Sequence, residues 1–96
     1  MSISRLQDRF MKEIAEAFQA TQARIVKRLA KCQSIEVNAI IEDELRGLYH
    51  GVFVMFDGGT ALADDGLVSL FDEDGVAFER HLHEICFKYW PNHNTR

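Results

Sequence analysis

The sequence predicts an α+β fold, mainly helical: two long antiparallel helices, a short β-hairpin and a C-terminal helix. Three observations predict it. Apolar residues recur at three- and four-residue steps from Ile3 to Cys32, and again from Val37 to Met55. A glycine-rich acidic stretch follows, with the turn signal Glu73-Asp74-Gly75 between two apolar arms. A last amphipathic run stops at Pro91. The 96 residues make one domain, near the low end of common domain sizes.

The first element is a helix over about 3–31. Ile3, Leu6, Phe10, Ile14, Ala17, Phe18, Thr21, Ile25, Leu29 and Cys32 make one apolar stripe, with Arg5, Lys12, Glu13, Glu16, Arg24 and Lys27 mostly between them. Ser2 or Ser4 is placed to cap its start. About 28 residues of helix span roughly 42 Å, whereas a compact chain of this size has a radius of gyration of about 12–13 Å. Either the helix breaks near Thr21, or its overhanging stripe is covered by a second copy in a homodimer.

The second element is a helix over about 35–56, with Ser34 as its expected cap and Glu36 in the first turn. Val37, Ile41, Leu45, Leu48, Val52 and Met55 form its seam. The run Val52–Phe56, β-branched and aromatic, has a second reading as a strand over 49–56. It continues the helical seam without a phase jump, which favours the helix. Asp57-Gly58-Gly59 then closes that helix, glycine taking the left-handed conformation just past the last helical residue.

Acidic turns and the β-hairpin occupy about 57–78. Leu67–Phe71 and Val76–Phe78 are the hairpin arms. A helix over about 79–90 follows, with Leu82, Ile85, Cys86 and Tyr89 on one face, and Pro91 ends it. Residues 91–96 form a polar, frayed tail.

Charge is uneven. The net charge is −4, but residues 1–35 hold seven basic and three acidic side chains and residues 36–96 hold four and twelve. Between Arg46 and Arg80 stand seven carboxylates and no cation: Asp57, Asp64, Asp65, Asp72, Glu73, Asp74 and Glu79. Such a surface repels phosphate backbones, so nucleic acid is excluded as a partner. The longest apolar run has five residues, too short to cross a membrane. No signal-peptide core stands at the N-terminus. Cys32 and Cys86 lack CxxC spacing and read as reduced thiols. These features together read as a cytoplasmic protein.

No catalytic set emerges, and no cofactor is expected. An EF-hand register on Asp72, Asp74 and Gly75 puts Leu70 and His81 at the two terminal ligand positions, where both fail. His81 and His83 point apart on a helix and cannot share an ion. His83 can meet His50 or Asp57 from the neighbouring element, which makes those three the one conceivable metal site. Cys86 is one turn from His83 but lies on the core face, where thiols are inert.

The leading functional reading is a non-enzymatic protein-binding module. Asp57, Asp64, Asp65, Asp72 and Asp74 offer carboxylates to a basic protein partner, with Phe71 or Phe78 as an apolar anchor. In size, acidity and lack of a catalytic set the chain resembles the small bacterial immunity-type inhibitors; that likeness is one of class, with no shared motif and no residue carried over. The alternatives are a small metal-binding protein or enzyme using His50, Asp57 and His83, or a purely structural homodimer through the first helix.

Overall fold

The structure is a computed structural model that describes residues 4–91. Helix α1 runs Arg5–Leu29. Ser4 caps it, its Oγ accepting from the Gln7 N–H at 3.0 Å. The helix does not break at Thr21. That residue is buried, and Arg24 donates to its hydroxyl at 3.0 Å.

A single 3-10 turn at Ser34–Glu36 leads into helix α2, Val37–Phe56. The expected cap, Ser34, is displaced by Gln33. The Glu36 carboxylate reaches back to the Gln33 N–H at 3.0 Å, half of a reciprocal capping box. Val52–Phe56 is helical, so the seam prevails over β propensity. Phe10 packs on Phe56 with ring centroids 5.6 Å apart, and Arg24 and Arg28 meet Glu44 and Asp43 at the other end. The two helices are therefore antiparallel neighbours, as expected.

Helix α2 ends in a Schellman closure. The Gly59 N–H donates to the Val54 carbonyl at 2.9 Å and the Gly58 N–H to that of Met55 at 3.2 Å. Gly58 takes φ +80°, and a Cβ on Gly59 would stand 2.6 Å from Val54 Cγ1. Both glycines are dictated by this stop.

Beyond it, a 3-10 turn at Ala61–Asp64 drives Leu62 into the centre. Leu62 is 1% exposed, and with Ile40, Met55 and Cys86 it makes up the buried apolar core. Thr60 fixes this turn twice, its hydroxyl accepting from the Leu62 N–H and donating to Glu13 of α1 at 2.6 Å.

The β-hairpin is not formed, and the α+β assignment is corrected to an all-helical architecture. Among the described residues there is no strand, only an isolated antiparallel bridge between Phe71 and Ala77. The turn itself is present. The Gly75 N–H donates to the Asp72 carbonyl, and Asp72 Oδ1 accepts from the N–H groups of Asp74 and Val76 at 2.8 and 3.0 Å. The arms fail because the second has no face to bury and the first has only the half-covered Val68 and Leu70. Leu67, Phe71, Val76 and Phe78 all stand exposed, and an unsupported two-stranded ribbon is marginal.

The C-terminal helix expected over about 79–90 is also shorter. Helix α3 is the single turn Leu82–Ile85, continued by a 3-10 turn at Cys86–Lys88. His81, at φ 64°, has a left-handed conformation that stops the helix from extending backwards. The tail expected at 91–96 lies, beyond Pro91, outside the described residues.

The molecule measures 48 × 32 × 22 Å with a radius of gyration of 16.2 Å, well above the compact value of about 12–13 Å. No helix among the described residues is long and apolar enough to cross a membrane.

Candidate functional site

Two places gather the residues singled out in the sequence: a His–Asp junction where α2 meets α3, and the acidic arm 67–80.

The junction is built on Asp57, the residue after α2. Its side chain is almost wholly covered. Asp57 Oδ2 accepts from the backbone N–H of His83 at 2.8 Å and lies 2.5 Å from His83 Nδ1. One carboxylate thus caps α3 from a different element and grips the ring of its second residue. Burial pushes the Asp57 pKa up. The N–H of His83, the His83 ring and the N–H of Leu82 outweigh it and hold the carboxyl down at about 2.

His50, two turns before the end of α2, completes the contact. Its ring meets the His83 ring edge-on at 5.7 Å and stacks on Phe87 at 5.6 Å, 7° from parallel. Arg46, one turn earlier, sets its guanidinium 4.7 Å from the Phe87 ring centre. Tyr49 contributes from the adjoining face, its hydroxyl donating to the Cys86 carbonyl at 3.0 Å and its ring touching Phe53, Phe87 and Trp90.

His50, Asp57 and His83 therefore do come together. They meet through a hydrogen bond and an edge-on ring contact, and no group of three or more His, Cys, Asp or Glu side chains among the described residues is placed to hold a metal ion. Cys86 is buried beside them, its Sγ 3.5 Å from the His83 carbonyl. Burial raises its thiol pKa, the reverse of what a nucleophile needs. Two clefts adjoin the junction: one lined by Phe56, Asp57, Leu70, Phe78 and Leu82 holds about 130 Å³, and a broad surface cleft lined by Arg46, Gly47, His50 and Phe87 holds about 640 Å³.

The acidic residues divide into two groups. Asp57 and Asp65 face inward. Asp65, closing the turn after Leu62, is clamped by Arg5 at 2.6 Å and Arg9 at 3.2 Å from α1. The basic first helix and the acidic second half thus neutralise one another within the chain. Asp64, Asp72, Glu73, Asp74 and Glu79 stay at the surface, and no cation among the described residues lies within ion-pair distance of them. Beside them Phe71, Val76 and Phe78 are 59, 60 and 53% exposed.

Sequence reasoning missed the Arg5/Arg9–Asp65 clamp and the Arg46–Phe87–His50 stack. The clamp left a trace in the opposite charges of the two halves. The stack left only the four-residue spacing of Arg46 and His50. Comparison with protein-family models, with curated proteins and with solved structures finds no match for this chain.

Proposed function

We propose that the chain is a non-enzymatic protein-binding module that receives a basic protein partner on its arm, residues 67–80, in the cytoplasm. One observation carries this reading: three apolar side chains of the arm, Phe71, Val76 and Phe78, each more than half exposed, stand among Asp72, Glu73, Asp74 and Glu79. Exposed apolar groups ringed by one sign of charge have the make-up of an anchor with a steering rim. Asp64 adjoins this surface. Asp57 and Asp65 drop out of the docking set, because both are spent on contacts within the chain.

The non-enzymatic part of the reading is supported by the junction. Asp57, His83 and Tyr49 each have a structural task there, holding α3 to α2, and the Cys86 thiol is covered.

The test is a capture experiment from the native host with three baits: the wild-type chain, Asp64→Asn/Asp72→Asn/Asp74→Asn, and Phe71→Ala. A partner of basic isoelectric point is expected on the wild type, weakened by salt and lost from both variants. Retention indifferent to both variants would overturn the reading.

A further inference from the structure

We propose that the arm takes its partner as an added strand: an extended basic segment of a protein partner pairs, backbone to backbone, with the outer edge of residues 67–71. The proposal rests on the docking role given to the arm and names the form in which the partner arrives there.

The edge follows from the hydrogen bonds of the arm. The Asp72 N–H donates to the Val76 carbonyl at 2.9 Å, and the Phe78 N–H donates to the Leu70 carbonyl at 2.8 Å. These two bonds flank the antiparallel bridge between Phe71 and Ala77. In that pattern the N–H and C=O of Phe71 point away from Ala77, to the outside of the arm. No backbone group among the described residues bonds to them, or to the N–H and C=O of Ser69 two residues earlier. The side chains alternate as on a strand. Leu67, Ser69 and Phe71 are exposed, and Val68 and Leu70 between them are half-covered. Free backbone groups at every second residue are what an added strand pairs with.

Two features say what pairs there. The first is the lack of a guard. Exposed edges are ordinarily protected by a charge, a proline or a bulge. Residues 67–71 contain no charge and no proline, whereas the second leg of the arm runs on into Glu79 and Arg80. The first leg is therefore the edge open to a strand.

The second feature is charge. Asp72, Glu73 and Asp74 stand exposed at the tip end of the edge, and Asp64 stands exposed before its other end. The cations nearest that other end, Arg5 and Arg9, are taken by Asp65. A second copy of this edge would set Asp72, Glu73 and Asp74 against themselves if parallel, and against Asp64 and the paired Asp65 if antiparallel. Like charges across a strand pair are destabilising. A segment with Lys or Arg towards its ends and apolar side chains between answers both features. Its apolar side chains lie beside Leu67 and Phe71, each more than half exposed.

The probe is the amidated peptide Lys-Lys-Val-Thr-Val-Lys-Lys, whose terminal lysines serve either strand direction. Amide hydrogen exchange of the full chain, read residue by residue by NMR at low salt, follows its binding. The peptide is expected to slow exchange at Ser69 and Phe71 by roughly fivefold or more, the factor of one hydrogen bond of ordinary net strength, and to leave Ala77 unchanged. The same peptide methylated at each backbone nitrogen from its second to its sixth residue keeps its charge and side chains but cannot pair as a strand. It is expected to bind roughly tenfold more weakly or worse. Equal binding of the two peptides, with exchange at Phe71 unchanged, overturns the added strand. It leaves the arm as a docking surface if Asp72→Asn/Asp74→Asn releases both peptides. Slowed exchange at Phe71 in the free chain that grows with protein concentration gives the edge to a second copy and overturns the proposal too. Binding of neither peptide also overturns it, while the capture experiment decides the role of the arm separately.

Discussion

Asp57 Oδ2 sits 2.5 Å from His83 Nδ1 and 2.8 Å from the His83 backbone nitrogen, so a single carboxylate oxygen joins the end of α2 to the start of α3. The turn of α3 has only four residues and cannot persist on propensity alone. It exists because a neighbouring element satisfies its first N–H groups. Asp57→Asn is expected to lower stability by up to roughly 2 kcal/mol, the scale of a hydrogen-bonded charge. Urea unfolding monitored by circular dichroism measures it.

The same contact fixes a pH dependence. The folded-state pKa of Asp57 is depressed from 3.8 to about 2. A depressed carboxyl contributes its stability in full above the unfolded value and loses it as pH falls through the folded one. The stability difference between wild type and Asp57→Asn should therefore be constant at neutral pH and close progressively between pH 3.8 and about 2. A difference that persists unchanged to pH 2 would contradict the capping role.

The stop after α2 yields a prediction of opposite chemistry. Gly58→Ala forces a side chain into φ +80° with Leu67 Cδ2 at 2.9 Å, and Gly59→Ala drives a methyl to 2.6 Å from Val54 Cγ1. Each should cost about 1 kcal/mol or more. Gly75→Ala is the control. It has φ +81° but open space around it, so it should show the conformational cost without the clash and fall below Gly58→Ala in thermal melts.

How much of this is legible in the sequence depends on the range of the interaction that decides each element. Helices α1 and α2 are decided by stripes of ten and six residues, and the glycine stop by local conformation, so all three can be read. The arm cannot. Its turn is local and legible, but strand formation depends on a face to pack against, and Leu67, Phe71, Val76 and Phe78 have none. Leu62 lies inside a run that reads as acidic connector, because one buried leucine has no period. The sequence allows a meeting of Asp57 and His83 but does not require it, since the contact follows from where α3 docks. Asp65 shows the limit most clearly. Its charge reads as surface, and only the fold reveals Arg5 and Arg9 closing on it.

The ion cluster that ties the two long helices at their far end should be weak and salt-sensitive. Asp43 and then Glu44 hold Arg28 above its ordinary pKa, and Arg24 followed by Arg28 holds Glu44 below its own. Arg24, Arg28 and Asp43 are open to solvent, where ion pairs contribute little, while the Glu44 side chain between the two arginines is 11% exposed. Arg28→Ala should lower the melting temperature slightly at low salt and not at all in 1 M NaCl, where screening acts over about 3 Å. Because the Glu44 pKa is depressed, its contribution should fade as pH drops below 4.5, seen as convergence of the Glu44→Gln and wild-type melts.

Tyr49 offers a probe of the C-terminal segment alone. Its hydroxyl donates to the Cys86 carbonyl at 3.0 Å while its ring holds Phe87 and Trp90 against α2. Tyr49→Phe keeps the ring and removes the donor, leaving the Cys86 carbonyl with the Tyr89 N–H alone, at 3.1 Å, at a cost of about 1 kcal/mol. The more telling readout is Cys86 itself, which is buried while Cys32 is partly open. With a thiol reagent the wild type should show one fast and one slow cysteine. Tyr49→Phe should accelerate only the slow one, by roughly fivefold, the factor that about 1 kcal/mol gives in a local opening equilibrium. Equal acceleration of both thiols would place the effect in global unfolding instead, and an unchanged slow rate would mean that the aromatic contacts alone hold the segment down.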